Sequence, residues 1–338
     1  MMRLIVLRFL SFVPLLLSGY AGSPASANDS AAELSVGGLV LTQTADVSLE
    51  SEDLAISLDV VSVRYRFLNL TPKPVTLTVA FPLPNIDLSE SENYSIPHND
   101  PVNFVGFETK VDGKPVTFSM HQSAVLGSKD ISTALVSAGV PLMPIGPLQA
   151  QLSQLPPSTR DQLIAQGLLL KYGTNDRGQQ LYEGGWTVKT AAVRQQTFLP
   201  NVPIVVEHRY HTSLGISFDT ILRKGLRQNP AMAAKIDRYR KVYCIDDSLL
   251  QKLDQLAGAR EANTGKIQER RISYVLKTGA NWAGPIKDFR LTVDTQKADR
   301  LISFCQSPVR NISPTMVEYT AKDFLPDKDL KILILGRF

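Results

Sequence analysis

"VSVRYRFLNLTPKPVTLTVAFPLP", Val61 to Pro84, decides how the fold is read. In its first half Val61, Val63, Tyr65 and Phe67 alternate with Ser62, Arg64 and Arg66. In its second half Val75, Leu77, Val79 and Phe81 alternate with Thr76, Thr78 and Ala80. A period of two with one apolar side predicts antiparallel strands, one face buried and the other wet. Between them "NLTPKP" is turn chemistry, because Pro72 and Pro74 fix φ and withhold donors. The stretch reads as a hairpin, and Pro82 and Pro84 keep its second strand from extending its ladder.

The same alternation runs from Leu34 to about Val125, and "FVGFETKVDGKPVTF" predicts a second hairpin around Asp112-Gly113. From Lys129 to about Tyr172 the period changes. "KDISTALVSAGV" and "PSTRDQLIAQGLLLKY" read as helices, the second with Ser158 or Thr159 as N-cap and Asp161 in its first turn. Pro141, Pro144, Pro147, Pro156 and Pro157 cut this region into short pieces, and "GTNDRGQQ" follows as a loop. Such an insert serves packing or spacing; a lid over a site is the functional alternative.

Strand pattern resumes at "WTVKTAAVRQQTF" and "VPIVVEHRYHTSLGISF". Asn229 as cap and Pro230 at the first helical position open a helix that Cys244 ends. Asp246 or Asp247 caps another, with Leu249, Leu250, Leu253 and Leu256 as its apolar stripe and Gly258 as its stop. "RISYVLKT", "FRLTVD", "LISFC", "MVEYTA" and "LKILIL" then predict closing strands, the last of them buried. The expected fold is mainly β (α+β overall): two antiparallel β-sandwich-like domains with small helical inserts. The N-terminal β-sandwich domain takes 28–125 and the helical insert and loop 126–181. The C-terminal β-rich domain takes 182–338, with a helical insertion at about 229–258.

Residues 1–27 read as a secretory signal: Arg3 and Arg8, the apolar run Phe9 to Leu17, then Ala25-Ser26-Ala27. That run falls short of the roughly 20 residues a spanning helix needs, and cleavage is expected between Ala27 and Asn28. Without Arg3 and Arg8, 34 basic residues face 32 acidic ones, a net charge near +2. "RYRK" at Arg238 and "RR" at Arg270 are local, and no basic stripe interleaves with aromatics, so nucleic acid is excluded as a partner.

Cys244 and Cys305, an even pair in an exported chain, are expected to bridge. Neither belongs to a C-x-x-C, and two cysteines alone do not make a zinc site. Of four histidines, His208 and His211 in "EHRYH" are the one pair near an acid, but on a strand they face opposite ways. One is expected to be partly buried and one exposed. Trp282 in "TGANWAGPI" is a candidate contact for a sugar or peptide, against the simpler reading that it folds onto the sheet. Trp282 and His208 are thus the binding candidates. No G-x-S-x-G elbow, phosphate-cradling glycine loop or H-E-x-x-H is present. No catalytic residue, metal or cofactor is expected.

With these segments assembled, the chain resembles a family of bacterial exported proteins, domain-of-unknown-function family 4424, over nearly all its mature length. The likeness rests on "VRYRFLN", "VAFPLP", "FVGFETKVDGKPV", "YCIDD", "TGANWAGPIKDFRLTVD" and "ISFC" in this order. It implies a periplasmic or secreted envelope protein and supports the Cys244–Cys305 pairing; it supplies no catalytic residue. The opening stretch is also loosely similar to VIT-type β domains, through "Y-x-F-x-N" followed by "F-P-L-P". The metal-dependent adhesion motif of such proteins does not carry over: the nearest string, "DVSLE" at Asp46, departs at its last position.

The expected role is a non-enzymatic binding or structural module working on other envelope proteins or cell-wall material. The alternative is a periplasmic hydrolase with dispersed carboxylates acting on cell-wall or polysaccharide material. A first test concerns the bridge, which closes a loop of about 60 residues and is worth about 4 kcal/mol in the chain-entropy account. Non-reducing peptide mass mapping of the secreted protein should recover Cys244 linked to Cys305. Two free thiols would remove the tie between helical excursion and closing strands.

Overall fold

The computed structural model describes residues 30–35, 38–89, 94–258 and 267–338. The signal segment and its cleavage point at Ala27 and Asn28 lie outside the described residues. The largest sheet has eight strands: Arg310–Asn311, Met316–Phe324, Ile286–Asp294, Val47–Ser57, Val60–Asn69, Ile204–His211, Glu108–Val111 and Lys114–Pro115, in that spatial order. Its neighbours are antiparallel except Ile286–Asp294, which runs parallel to Val47–Ser57. The second sheet is ordered Lys129–Asp130, Ser119–Leu126, Thr187–Phe198, Val75–Pro82, Ser30–Ser35 and Gly38–Thr42, with Ile86–Asp87 also on Thr187–Phe198. Strands from 28–125 and 182–338 therefore share both large sheets, and one apolar core runs through them.

The alternation stands in the first half of the opening stretch, but in the second half Ala80, expected on the wet face, is buried along with Val79 and Phe81. Val61, Val63, Tyr65 and Phe67 are each 2% exposed or less, whereas Arg64 and Arg66 face solvent. The hairpin does not stand: Val60–Asn69 lies in the first sheet and Val75–Pro82 in the second, so the turn carries the chain between layers. Asn69 holds this crossing. Its Oδ1 accepts from Thr71 N at 2.8 Å, and its Nδ2 donates to the carbonyls of Lys73 at 2.8 Å and Phe198 at 2.9 Å. Pro72 and Pro74 have no N–H with which to pair across the turn. The second expected hairpin does form: Asp112 (φ 48°) and Gly113 (φ 77°) are both left-handed, as a two-residue hairpin turn requires.

The insert is helical over Ser132–Ser137, Gln149–Gln154 and Pro157–Ala165. Pro156 occupies the cap position of the last helix and Pro157 its first turn, which displaces Ser158 and Thr159 into the helix. That helix also stops earlier than its apolar pattern predicts. Gly167 turns the chain at φ +71°, and Leu169–Thr174 becomes a strand paired with Gln180–Gly184. A short run such as "LLLKY" satisfies either period, so length and the preceding glycine decide it. Leu135, Leu152, Leu163 and Trp186 join the main core, and Trp186 Nε1 donates to Leu142 O at 2.8 Å.

A third sheet is ordered Leu301–Ser303, Leu330–Gly336, Gln268–Tyr274, Leu214–Ser217 and Tyr94–Ser95. Ile332 and Ile334 face the main core, whereas Leu333 and Leu335 face helices Ala233–Tyr243 and Asp247–Ala257. Burial on both sides explains the unbroken apolar run of the last strand. The caps are as expected: Asn229 Oδ1 accepts from Ala231 N at 3.0 Å, and Asp246 Oδ1 from Leu249 N at 2.7 Å. Cys244, left-handed at φ 52°, ends the first helix and is disulfide-bonded to Cys305. Among the described residues no helix is long and apolar enough to cross a membrane.

Phe81 sits where the three sheets meet. Its ring centroid lies 4.8 Å from His208, 5.1 Å from Phe107, 5.8 Å from Tyr210 and 6.4 Å from Tyr274. Phe81→Ala should lower stability by about 3–5 kcal/mol, the cost of emptying a buried aromatic site. An unchanged melting temperature would show that this face is not core.

Candidate functional site

Strand geometry forces every second residue of the eight-stranded sheet away from the core. Registers then align the outward residues into rows. Arg290 stands beside Asp53, Asp53 beside Arg64, Arg64 beside Glu207 and Glu207 beside Lys110. Positive and negative side chains thus alternate across five strands, from Ile286–Asp294 to Glu108–Val111. Arg64 Nε lies 3.5 Å from Glu207 Oε1, and Arg290 Nη1 3.7 Å from Asp53 Oδ2. Opposite charges facing across a ladder are favourable, and like charges there are not.

Two residues further along, the row changes character. Thr292, Ala55 and Ser62 lie side by side, followed by Arg209 opposite Glu108. Short side chains at Ala55 and Ser62 leave a half-open hollow of about 320 Å³, rimmed by Arg64, Arg209, Glu108 and Glu207. Three cations and three carboxylates reach it once Asp53 and Lys110 are included. The hollow offers ion pairing and hydrogen bonding to a ligand of mixed charge.

Of the sequence-derived binding candidates, His208 is among the residues that line the hollow, although its ring turns to the core, and Trp282 is not. Trp282 is 3% exposed, its ring 4.5 Å from Phe67 and 6.2 Å from Phe198, so it covers the end of the core rather than a ligand. His208 is also 3% exposed and sits among Phe81, Phe107 and Tyr65. Its strand neighbours Glu207 and Arg209 point outward, and His211 is exposed, as alternation and its end position require. Of the outward residues, Arg64 and Arg66 were visible in the opening stretch as a wet face. Asp53, Lys110, Glu207, Arg209 and Arg290 come from separate segments, and only the registers bring them together.

Two buried carboxylates are structural. Glu52 is 1% exposed and receives Tyr274 OH at 3.5 Å, while Tyr274 OH lies 2.9 Å from Tyr65 OH. Burial, then the neighbouring Tyr65 and Glu52, push the Tyr274 hydroxyl far above its ordinary range. Glu269 accepts from Thr220 Oγ1 and Tyr239 OH, both at 2.6 Å, and from Arg271 Nη1 at 3.0 Å. It fastens the helix Ala233–Tyr243 to the third sheet. Burial, followed by the Glu269 charge, likewise pushes the Tyr239 hydroxyl well up, so it stays a donor. Among the described residues no three His, Cys, Asp or Glu side chains gather as a metal site.

Fold and site together define a mainly β protein with small helical parts, whose largest sheet turns an ordered, charged face to solvent. The chain belongs to the family described as Domain of unknown function (DUF4424), whose model matches residues 27–333. The looser likeness to VIT-type domains gains no support from this match. Among solved structures the chain is similar to a candidate nutrient-binding protein from Legionella pneumophila subsp. pneumophila. The two share 13% identity over 92% of this chain and 70% of that one, with a TM-score of 0.42. It is also similar to an M1 zinc metallopeptidase from Deinococcus radiodurans, at 10% identity and a TM-score of 0.23, over 87% of this chain and 43% of the peptidase. No curated protein matches the chain.

Glu318 anchors the far side of the charged face. Its carboxylate accepts from Arg310 Nη2 at 2.5 Å and from Arg290 Nε at 2.8 Å. Those bonds, Arg310's first, hold its carboxyl below the usual glutamate range, against desolvation that works to raise it. A lowered folded-state value means stabilisation present above the unfolded-state value and lost as pH falls through the folded one. The melting-temperature advantage of wild type over Glu318→Gln should therefore be present at neutral pH and shrink below about pH 4. An advantage that grew in acid would contradict this assignment.

Proposed function

We propose that the protein is an exported, non-enzymatic binding module of the bacterial envelope, periplasmic or secreted after loss of residues 1–27. Its binding surface is the outer face of the eight-stranded sheet, and its partner is another envelope protein presenting side chains of both charges. The in-register alternation from Arg290 to Lys110, broken by the hollow at Ala55 and Ser62, carries this reading. Exposed ion pairs contribute about 0–1 kcal/mol each to stability, so the fold does not need the row. Complementary charge sets partner choice and encounter rate. The disulfide accords with an oxidising compartment.

The hydrolase alternative needs a carboxyl group in an apolar setting to serve as acid. Asp53 and Glu207 are 53% and 40% exposed, and each lies against an arginine. That setting favours binding over proton transfer.

Pull-down from envelope extract tests the two together, with wild type compared against Arg64→Glu/Arg209→Glu. Both positions are exposed, but each glutamate would face carboxylates across its ladder, so the double variant should melt somewhat below wild type and is compared where both remain folded. A partner retained by wild type, released by raised salt and lost from the variant is the expected result. Equal recovery by both proteins would remove the sheet face from the interaction. Cleavage of a polysaccharide or peptide panel by the pure protein would replace binding with hydrolysis.

A further inference from the structure

The outer face ends in a feature that strand alternation within "EHRYH" does not contain. His211 follows Glu207 and Arg209 on the solvent side of its strand, and there it meets His98, which comes from a loop. The two ring centroids are 5.0 Å apart with planes inclined at 49°, and both residues are exposed. The histidine pair suggested by sequence, His208 and His211, is divided between core and solvent. The pair the fold makes is His98 and His211.

The spacing has a chemical meaning. An imidazole nitrogen binds zinc at about 2.0–2.1 Å, which puts the ring centroid about 3.2 Å from the ion. Two imidazoles on one ion at a roughly tetrahedral angle then have centroids about 5 Å apart. His98 and His211 already stand at that distance.

The pair is also held in place. His98 N donates to Phe104 O at 3.0 Å and His211 N donates to Val105 O at 2.8 Å, so both backbones hang from adjacent carbonyls. Phe104 and Val105 are wholly buried, which fixes those carbonyls to the core. The loop between is ordered by its own side chains. Asp100 Oδ1 accepts from Val102 N and Asn103 N, Asn103 Oδ1 accepts from Phe107 N, and Gln122 Nε2 donates to Pro101 O. Gly106 leaves the room that the His98 ring fills: at φ +62°, a Cβ there would stand 2.7 Å from His98 Nε2. Ligands pre-positioned by the scaffold lose less freedom on binding.

We propose that His98 and His211 form a surface site for one divalent transition-metal ion of the zinc or copper kind. Imidazole nitrogen suits these ions, whereas magnesium and calcium take oxygen ligands. No third protein ligand stands with the pair among the described residues, so water or solute completes the coordination sphere and the site is open. It lies at the end of the charged sheet face but does not depend on the role proposed for that face.

The experiment is calorimetric titration of the mature, tag-free protein with zinc chloride and, separately, copper chloride. Copper samples are also read by electron paramagnetic resonance for nitrogen coupling. Saturable binding of one ion per chain, with coupling to two nitrogens, is expected. His98→Ala and His211→Ala should each weaken it at least about tenfold, the loss that even an outer-shell substitution can bring. His121→Ala should leave it unchanged. Both substituted residues are exposed, so melting temperatures of the metal-free variants should match wild type and separate lost ligation from lost fold. Absence of one-equivalent binding, survival of binding in both single variants, or dependence on only one of the two histidines would each overturn the shared site.

Discussion

The parallel ladder between Val47–Ser57 and Ile286–Asp294 is the pairing on which the rest of the structure depends. It joins residues more than 230 positions apart, with Leu291 beside Leu54 and Val293 beside Ile56. Through it the closing part of the chain enters the sheet that the opening part began. On the inner side Phe289, Leu291 and Val293 complete the core, and Trp282, just before the strand, closes over Phe67. On the outer side it sets Arg290 beside Asp53. Without it Val47–Ser57 would be an exposed edge, a template for unwanted pairing. The actual edges are the two-residue strands Arg310–Asn311 and Lys114–Pro115, too short to recruit another strand readily.

What was legible in the sequence follows from the range of each interaction. Alternation from Val61 to Phe67 needs only neighbours, and it gave the buried face residue by residue. Asn229 and Asp246 were legible for the same reason, because a cap acts within three residues. Asp112-Gly113 encodes its turn in two left-handed φ angles. The crossing after Asn69 was not legible. Prolines announce that a strand ends, but whether its successor pairs with it or opposes it from another layer depends on Phe198, 129 residues away, whose carbonyl Asn69 binds. "LLLKY" misled for a related reason: its partner Gln180–Gly184 takes it into a hairpin that helical spacing had claimed.

The candidate site was less legible than the fold because it has no local pattern. Arg64 and Arg66 show a wet face, but a charged residue on a solvated strand is ordinary. Only the registers of four pairings reveal that Arg290, Asp53, Arg64, Glu207 and Lys110 form one row. Conversely, Trp282 and His208 drew attention as rare residue types in unusual strings, and both proved to be core. Trp282 contributes apolar area against Phe67 and Phe198. His208 packs by ring contact with Phe81 and Phe107. Residue rarity signals chemistry only where the side chain also reaches solvent or substrate.

The two faces of the large sheet answer to different constraints, and this separation makes the outer one available. Inward positions are fixed by packing, where losing one large side chain costs several kcal/mol. Outward positions need only be polar, and any mixture of Thr, Ser and Lys would keep the sheet soluble. Solubility alone does not call for opposite charges in strict succession across strands drawn from four separate parts of the chain. Nor does it call for the interruption at Ala55 and Ser62, where the succession gives way to two short side chains and a hollow. The row from Arg290 to Lys110 holds three cations and two carboxylates, so its charges nearly cancel, leaving a net +1. In the proposed role it would give a partner of one sign little net attraction and favour one whose own charges match its spacing, about 4.8 Å from strand to strand. The core makes that spacing rigid, since each outward residue stands on a strand whose inward neighbours are among the most buried in the protein. In the proposed binding role, rigidity of this kind would let weak pairs, each worth little alone, act together on one partner.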